Sequence, residues 1–217
     1  DGGQKPLKAM VLAAGMATRL RPITDNCPKC LMPLAGRPLL DWTLPWLKDV
    51  AGVTDCLVNL HHLPEMVRDY VGDGSKYGLR AAYSFEPELL GTAGAVRKLA
   101  GFFDEPFYVI YSDNFSQWNL QELKTVHESK GAVATIAVHW REDVTQSGVV
   151  EMDSEGRILG FVEKPLAGAV TSHYVNAGFY YLEPKVLDYI PEGEFCDFAY
   201  HVFPAMLKAG GRMYAVK

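Results

Sequence analysis

The chain of 217 residues is predicted to form an α/β fold with a mostly parallel sheet and helices on both faces. Two observations carry this prediction. Apolar runs of strand length alternate with amphipathic stretches of helix length, which is the order that βαβ units produce. Apolar residues also make up 48% of the chain, enough at this length for the core of one α/β domain.

The predicted elements follow one another in a regular order. Strand segments are short and apolar, whereas helix segments place apolar residues three and four positions apart. Strands are predicted over residues 7–14, 55–60, 80–85, 106–111 and 132–140, and helices over residues 38–50, 64–71, 92–103 and 120–130. Pro45 predicts a kink in the first helix, and Thr92 is suited to cap the third. From Gly148 onward the strands shorten around a turn at residues 153–156, which predicts a small inserted β region rather than a second domain.

Composition excludes several classes of protein. No run of eighteen apolar residues is present, so no membrane span is expected. The net charge of −5 and the pI near 5.7 argue against a nucleic-acid partner. Four cysteines without a secretory signal indicate a reducing, cytoplasmic setting. Residues 1–7 lack an apolar signal core and are predicted to be a flexible lead-in to a single domain over residues 8–217.

The segment after the first strand has the features of a phosphate-binding loop. Small residues allow the backbone to approach a ligand closely, so that main-chain N–H groups can point at anionic oxygens. These residues are Ala13, Ala14, Gly15 and Ala17. Arg19, Arg21 and Lys29 add positive charge. Neither the Gly-x-x-x-x-Gly-Lys-Ser/Thr motif nor the three-glycine dinucleotide motif is present, so the known loops of those types do not apply.

A Cys-x-x-Cys spacing surrounds the lysine of this region. Cys27 and Cys30 have the separation of a metal or redox pair, but Cys56 and Cys196 stand alone and far apart in the sequence. A metal site requires a second pair of ligands. We therefore interpret the two cysteines as small residues that flank a phosphate-binding Lys29.

Asp113 is the second candidate for chemistry. It closes the predicted strand 106–111 as Gly15 closes the first strand, and ligands of parallel sheets bind outside the carboxyl ends of the strands. Magnesium prefers one or two carboxylates together with phosphate and water oxygens. The alternative is a structural role in which Asp113 caps the turn that follows the strand.

Three motifs near the N terminus carry a family resemblance. They are Leu12-Ala13-Ala14-Gly15-Met16-Ala17-Thr18-Arg19-Leu20-Arg21-Pro22, Pro28-Lys29-Cys30-Leu31 and Arg37-Pro38. Together they resemble the signature of the sugar-1-phosphate nucleotidyltransferases, also called nucleotide-sugar pyrophosphorylases. Ala17 stands where this family usually has Gly, and Cys30 where it usually has Pro. The resemblance implies a Rossmann-like three-layer αβα fold, with a mostly parallel mixed sheet and a small inserted β region for the sugar.

The resemblance also implies a reaction. A nucleoside monophosphate would pass from an NTP to a sugar 1-phosphate with release of pyrophosphate, and residues 58–61 and 90–94 look most like mannose-1-phosphate guanylyltransferases. Uridylyl, cytidylyl or thymidylyl transfer and a catalytically silent nucleotide-sugar-binding regulatory subunit stay open as alternatives. Arg19 would hold the β- and γ-phosphates, Lys29 would neutralise the α-phosphate, and Asp113 would hold Mg²⁺.

Further contacts are carried over from the family's motifs. The residues expected at the nucleotide are Leu12, Ala13, Ala14, Gly15, Thr18, Asn59, Leu90, Gly91 and Thr92. Those expected at the sugar and its phosphate are Gly148, Glu163, Lys164 and Asn176. In this reading Lys164 binds the sugar phosphate and Glu163 accepts hydrogen bonds from ring hydroxyls.

Two expectations concern the rest of the protein. Family members carry a second metal-binding aspartate in a segment that would follow Lys217, so we expect the domain to lack its C-terminal segment. Asp197 is predicted to cap a helix rather than to replace that ligand. The partners expected are small molecules, and a homo-oligomer stays open, with an exposed Trp118 or Trp140 as a mark of subunit contact.

Overall fold

The computed structural model describes residues 3, 5–114, 118–169 and 171–217. The chain divides into two compact units, of which unit 1 comprises Asp1–Leu89 and Glu105–Leu120, and unit 2 comprises Leu90–Asp104 and Gln121–Lys217. Residues 1, 2 and 4 of the predicted lead-in lie outside the described residues. None of the helices in the described ranges combines the length and the apolar character that a membrane crossing requires.

Unit 1 contains a parallel sheet. The strands of this sheet are β1 (Lys8–Leu12), β4 (Asp55–Leu60), β5 (Arg80–Phe85) and β6 (Phe107–Tyr111). Unit 1 also contains the separate strands β2 (Pro33–Leu34) and β3 (Arg37–Pro38) and the helices α1 (Leu39–Ala51) and α2 (Pro64–Val71). β1 pairs in parallel with both β4 and β6, and β4 pairs in parallel with β5. Met10, Val58 and Ile110 are fully buried. The centre of this sheet is covered on both faces, which explains why its strands are continuous apolar runs.

Helix α1 follows from its sequence pattern. Leu40, Leu44 and Leu47 recur at helical spacing and are all fully buried. Pro38 occupies the N-cap position, one residue before the first turn in which we expected it, and Pro45 lies inside the helix. Gly52 ends the helix in the left-handed conformation, at φ 73°, which glycine adopts without steric cost.

Strands β2 and β3 form a two-residue hairpin that we did not predict. Leu34 pairs with Arg37 in antiparallel register, and both residues between them have positive φ, 50° at Ala35 and 78° at Gly36. Two consecutive positive φ angles define the turn type that matches the twist of paired strands. The sequence hides this hairpin because each strand is only two residues long.

Unit 2 contains a mixed sheet. Its elements are α3 (Gly91–Arg97), α4 (Leu120–Lys130), β7 (Ala134–Trp140), β8 (Gly148–Met152), β9 (Ile158–Glu163), β10 (Tyr174–Leu182), a π-helical turn (Phe198–Val202), α5 (Phe203–Lys208) and β11 (Met213–Val216). β7 pairs with β10 in antiparallel and with β11 in parallel orientation, and β8 pairs antiparallel with both β9 and β10. The Asp153 carboxylate accepts the N–H groups of Glu155 and Arg157 in the turn between β8 and β9. The short strands predicted after Gly148 are thus confirmed as a hairpin.

Three predicted elements were too long. The first strand covers residues 8–12 rather than 7–14, the strand predicted over 132–140 begins at Ala134, and the helix predicted over 92–103 is α3, which ends at Arg97. Beyond α3 the hydrogen bonds are of the 3-10 type, which join residues three positions apart: Leu99 N donates to Val96 O, and Phe102 N donates to Leu99 O. The apolar pattern continues through this tighter turn, so the pattern alone could not show where the α-helix ends.

Candidate active site

Lys29 and Asp113 meet at the carboxyl edge of the parallel sheet in unit 1. Asp113 follows β6 by two residues, and Lys29 opens a 3-10 turn over Lys29–Leu31. Nζ of Lys29 lies 2.9 Å from Oδ2 of Asp113. The Lys29 side chain is 33% exposed and that of Asp113 46% exposed, so both reach solvent. The structure therefore brings together two of the three residues that we predicted to be catalytic.

Ser112 joins the ends of the two strands beside this pair. Its hydroxyl donates to the carbonyl oxygen of Leu12 at 2.7 Å, and its N–H donates to the same oxygen at 3.1 Å. The carbonyl of Leu12, which we expected at the nucleotide, is thus already engaged. These bonds hold Asp113 next to the start of the loop that follows β1.

Cys30, the residue after Lys29, is buried. Cys30 is 2% exposed, and burial raises the pKa of its thiol to about 12, so the thiol is neutral at pH 7. All four cysteines are free thiols. Within the described ranges, no group of three or more His, Cys, Asp and Glu side chains has the arrangement of a metal site. The buried Cys30 anchors the turn that presents Lys29.

The loop after β1 presents unused main-chain donors. Gly15 and Thr18 are exposed, Met16 and Ala17 are half-buried, and in the part of the chain that the structure describes their N–H groups have no protein acceptor. Ala17 adopts the left-handed conformation, at φ 47° and ψ 42°, and precedes the 3-10 turn Thr18–Leu20. The alanine thus occupies a backbone conformation that suits the glycine usual in the family. Free N–H groups of this kind are suited to bind an anion.

Arg19 is placed in the exposed turn of the same loop. Among the described residues its guanidinium has no hydrogen-bond or ion-pair partner, whereas Arg21 pairs with Asp25 at 3.5 Å. Arg19 is therefore the loop cation that is available to a ligand. The family resemblance likewise assigns Arg19, and not Arg21, to the phosphates.

Asn59 bonds to the main chain of the loop, and the direct nucleotide contact that we expected stays a prediction. Its side chain is 4% exposed, and Oδ1 accepts the N–H groups of Ala13 at 2.7 Å and Ala14 at 3.2 Å. These two N–H groups point at Asn59 rather than at a ligand. Asn59 therefore positions the first residues of the loop, and the N–H groups without a protein acceptor in the described ranges begin at Gly15.

Glu86 completes this network and was missed in the sequence. It is 1% exposed, and its Oε2 accepts a hydrogen bond from Nδ2 of Asn59 at 2.8 Å. Its main chain is also held, because its N–H donates to Leu60 O and its carbonyl oxygen lies 2.7 Å from Nδ1 of His61. A glutamate that follows a strand usually reaches solvent, and no local pattern marks this one as buried.

The segment of Leu90, Gly91 and Thr92 is engaged within unit 2. The carbonyl of Leu90 accepts the N–H of Cys196 at 2.9 Å, and the Asp197 carboxylate accepts both the N–H and the hydroxyl of Thr92. Gly91 has φ 76°, and a Cβ atom there would lie 2.6 Å from the carbonyl oxygen of Cys196. The glycine permits a close approach of protein to protein, and the approach to a nucleobase that we expected stays a prediction.

The prediction that Thr92 caps the third helix was wrong. Leu90 rather than Thr92 is the N-cap residue of α3, and Asp197 supplies the carboxylate that accepts an N–H of its first turn. Asp197 itself occupies the predicted N-cap position of the next helical turn, but its side chain makes no cap bond there. The carboxylate of Asp197 thus accepts a hydrogen bond from the first turn of α3, although the two lie more than a hundred residues apart in the sequence.

Unit 2 holds a cavity of about 220 Å³ beside the β8–β9 hairpin. It is lined by Gly148, Val149, Phe161, Val162, Glu163, Asn176, Ala199, Tyr200 and Pro204. Three of the four residues expected at the sugar are among them. Gly148 faces Glu163, and a Cβ atom at Gly148 would lie 2.6 Å from Oε2 of that carboxylate. The absence of a side chain at Gly148 therefore makes room for the carboxylate of Glu163.

The remaining sugar residues are placed differently from one another. Asn176 donates from Nδ2 to the hydroxyl of Tyr180 at 2.6 Å and accepts the N–H of Gly178 at 2.8 Å, which fixes its orientation at the cavity wall. An amide group has one further N–H and one further lone pair for a ligand. Lys164 is exposed, does not line the cavity and has φ 43°, with its N–H bonded to Ser147 O.

Ala199, Tyr200 and Pro204 form a wall of the cavity that the sequence did not predict. The first two lie in the π-helical turn, and Pro204 lies in α5. Single π-turns are rare and occur often at functional sites. Two further aromatic positions had been considered as marks of a subunit contact: Trp140 is 59% exposed, whereas Trp118 is half-buried.

Comparison with known proteins decides the family. Residues 8–217 match the profile of the Nucleotidyl transferase family. The chain belongs to this family. It is 38% identical to UTP–glucose-1-phosphate uridylyltransferase of Synechocystis, over 97% of this chain and 58% of that protein. It is 34% identical to mannose-1-phosphate guanylyltransferase of Mycobacterium tuberculosis, over 93% of this chain and 56% of that protein. The chain thus spans little more than half the length of these relatives.

Solved structures confirm the Rossmann-like αβα fold class. A UDP-glucose pyrophosphorylase complexed with UDP-glucose matches with a TM-score of 0.82 at 20% identity, over 98% of this chain and 90% of that one. HddC from Yersinia pseudotuberculosis matches with a TM-score of 0.79 at 24% identity, over 97% of this chain and 89% of that one. At such identities the similarity establishes the fold alone.

Proposed function

We propose that this chain transfers a nucleoside monophosphate from an NTP to a sugar 1-phosphate, releasing pyrophosphate. The observation that carries the proposal is the Lys29–Asp113 pair, at 2.9 Å, beside a loop with unpaired main-chain donors. A lysine, a carboxylate and free N–H groups at the carboxyl edge of a parallel sheet are the groups that a triphosphate and its metal require. Membership of the Nucleotidyl transferase family supports the same reaction.

The reaction is a single displacement at the α-phosphorus. A phosphate oxygen of the sugar 1-phosphate forms a bond to this phosphorus, the bond from phosphorus to the bridging α–β oxygen breaks, and pyrophosphate leaves with the electron pair. The attacking oxygen is already ionised at neutral pH, so the reaction needs no Ser, Cys or His nucleophile. Positioning and neutralisation of charge supply the rate enhancement.

In unit 1 each group has one task. The N–H groups of Gly15 and Thr18, together with the guanidinium of Arg19, bind the β- and γ-phosphates and the departing pyrophosphate. The ammonium of Lys29 neutralises the α-phosphate as negative charge develops. Asn59 fixes the start of the loop through its bonds to the main chain.

Asp113 fits a magnesium ion. Its carboxylate is 46% exposed, and within the described ranges only Oδ2 has a protein partner, so Oδ1 is open to a ligand. Mg²⁺ typically takes one or two protein carboxylates and completes its coordination with phosphate oxygens and water. When bound, the ion would neutralise triphosphate charge.

In unit 2 the cavity beside the β8–β9 hairpin is assigned to the sugar. Glu163 accepts hydrogen bonds from ring hydroxyls, Asn176 contributes its remaining amide donor and acceptor, and Phe161 and Tyr200 offer apolar surface. Lys164, exposed at the end of β9, binds the phosphate of the sugar 1-phosphate.

Mannose-1-phosphate guanylyl transfer is the activity we favour, from the motifs at residues 58–61 and 90–94. The relative from Mycobacterium tuberculosis carries that name. Glucose-1-phosphate uridylyl transfer is the second candidate, because the Synechocystis relative with that name is 38% identical over 97% of the chain. We also propose a cytoplasmic location, since all four cysteines are free thiols.

Pyrophosphate release tests the proposal. GTP, UTP, CTP and dTTP are each mixed with mannose 1-phosphate or glucose 1-phosphate in the presence of Mg²⁺. We expect release with at least one pair, and Lys29→Ala should lower kcat about a hundredfold or more, because one charge contact in the transition state is lost. Lys185→Ala, which removes an exposed lysine of the 3-10 turn Pro184–Tyr189, is the matched control and should keep wild-type turnover.

Two results would overturn the proposal. Turnover of Lys29→Ala at the wild-type rate would remove Lys29 from the reaction. Binding of a nucleotide sugar without pyrophosphate release from any pair would instead favour a catalytically silent regulatory subunit. Circular dichroism and Tm of each variant establish that the fold is intact.

A further inference from the structure

The Lys29–Asp113 pair has a consequence for the order in which ligands bind. We infer that, in the protein without nucleotide, the ammonium of Lys29 partly blocks the carboxylate of Asp113 against divalent cations by occupying Oδ2, and that a triphosphate opens this oxygen by drawing Lys29 to its own oxygens. The inference rests on the proposed function, because it assigns both residues to the same triphosphate site. It adds that metal affinity depends on Lys29.

The first step is the geometry of the pair. A separation of 2.9 Å between Nζ and Oδ2 is that of a charge-assisted hydrogen bond, so the ammonium occupies one of the two carboxylate oxygens and leaves a metal only Oδ1. Its positive charge also repels a second cation at the same carboxylate. Lys29 therefore lowers the affinity of Asp113 for a divalent ion in two ways.

The second step is that Lys29 and Asp113 pair only with each other among the described residues. Within the described parts of the chain, Asp113 is the one carboxylate paired with Lys29, and Lys29 is the one cation paired with Asp113. Of the two arginines in the loop after β1, Arg21 pairs with Asp25, and Arg19 has no partner in the described ranges. No other described cation forms an ion pair with Asp113.

The third step is that Lys29 can leave. Its side chain is 33% exposed, and a lysine ammonium sits on a flexible four-carbon stem. Phosphate oxygens that arrive beside the loop offer it an alternative acceptor. Triphosphate binding and metal binding at Asp113 are then positively coupled through one side chain, and by linkage the metal strengthens triphosphate binding by the same factor.

The test measures metal binding without nucleotide. Mn²⁺, observed by its electron paramagnetic resonance signal, replaces Mg²⁺ as the probe, and the protein is kept at low ionic strength so that charge effects are not screened. Lys29→Met removes the ammonium and keeps an unbranched side chain. We expect its Mn²⁺ affinity to exceed that of the wild type by at least about fivefold, the lower end of the usual coupling between sites.

Matched variants separate the local effect from net charge. Arg21→Gln removes one positive charge from the same loop but from a residue paired with Asp25, so its Mn²⁺ affinity should stay within about twofold of the wild type. Lys29→Arg keeps the positive charge and should bind Mn²⁺ as weakly as the wild type. Asp113→Asn in the Lys29→Met background should lose the gained affinity.

Each outcome decides between the inference and the proposed function. If Lys29→Met binds Mn²⁺ no more tightly than the wild type, or if Arg21→Gln gains as much, the inference is wrong even when the wild type releases pyrophosphate. If Lys29→Met gains affinity but no substrate pair reacts in the wild type, the block by Lys29 stands and the proposed reaction fails. The Tm of every variant shows whether a loss of binding reflects unfolding.

Discussion

Two segments with similar composition have different surroundings. The loop of residues 15–18 in unit 1 and the segment of residues 90–94 in unit 2 both combine glycine, alanine and threonine, and both resembled nucleotide contacts. In the loop, Gly15 has no atom within 4 Å of the place where a Cβ would be. In the other segment, the corresponding Cβ of Gly91 would lie 2.6 Å from a carbonyl oxygen of the protein.

The difference lies in what accepts the main-chain N–H groups. Those of Ala93 and Gly94 both donate to the carbonyl of Cys196, and that of Thr92 donates to Asp197. No protein acceptor serves Gly15 or Thr18 among the described residues. A glycine-containing motif therefore indicates close approach, and only the neighbouring chain shows whether a ligand or the protein approaches.

The sharpest test of this contrast substitutes the two glycines. Gly91→Ala should lower stability by about 3 kcal/mol, because alanine is strained at φ 76° and its Cβ would clash with Cys196. For a chain of this size that corresponds to a fall in Tm of roughly 6 to 12 °C. Gly15→Ala should change stability by less than about 0.5 kcal/mol, because its Cβ meets open space.

Thermal unfolding and nucleotide titration of both variants read out this test. We expect Gly15→Ala to weaken binding of an NTP, because the added methyl group stands beside the free N–H groups. Equal loss of Tm in the two variants would show that the two segments are packed alike and would remove the contrast.

Asn59 provides the next test. It accepts the main-chain N–H groups of Ala13 and Ala14, whereas the N–H groups of residues 15–18 have no protein acceptor among the described residues. Asn59→Ala leaves the N–H groups of Ala13 and Ala14 and the carboxylate of Glu86 without this partner. Buried polar groups without partners should cost about 2 kcal/mol in stability. The loosened loop should also raise KM for the NTP more than KM for the sugar 1-phosphate.

Glu86→Gln is the control for this network. Its side-chain oxygen can still accept the hydrogen bond from Nδ2 of Asn59, so the loss of stability should be clearly smaller than for Asn59→Ala. The two variants are compared by chemical denaturation and by initial rates with each substrate varied in turn. An equal rise in both KM values would assign Asn59 a general structural role and remove its link to the loop.

The smallest expected effect is at Ala17, where the loop carries strain instead of a glycine. Ala17→Gly should raise stability by up to about 1 kcal/mol, because relief of the left-handed conformation is partly offset by the greater freedom of glycine in the unfolded chain. Ala35→Gly makes the same change at φ 50° in the β2–β3 hairpin and should give a similar gain. A fall in Tm at Ala17 alone would contradict a strained backbone there.

Local patterns predicted the elements well where each element was regular. The strands over residues 55–60 and 80–85 and the helices over residues 64–71 and 120–130 have the predicted bounds. Errors occurred where an element continued into an irregular segment, as at residues 13–14 and beyond Arg97. There the hydrogen-bond partner decides the conformation, and side-chain periodicity carries no information about it.

The site divided in a similar way. Asp113 was identified because it closes a predicted strand, and Lys29 because it adds charge to the loop after β1 and lies in a motif that resembles the family's. The structure brings the two together at the carboxyl edge of the parallel sheet. The burial of Glu86 and the cavity wall formed by Tyr200 and Pro204 were missed. Whether a carboxylate is buried, and which residues line a cavity, depend on residues that are distant in sequence.

The sequence by itself determined the α/β class, the order of the elements and the charged residues at the sheet edge, because these depend on periodicity and on residue type. The tertiary structure alone decided which main-chain donors stay free. Asn59 reaches across 46 positions to the start of the loop, and Asp197 reaches across 105 positions to α3. A hydrogen bond is formed by proximity in space, and a donor's availability to a ligand is known only when its possible partners have been placed.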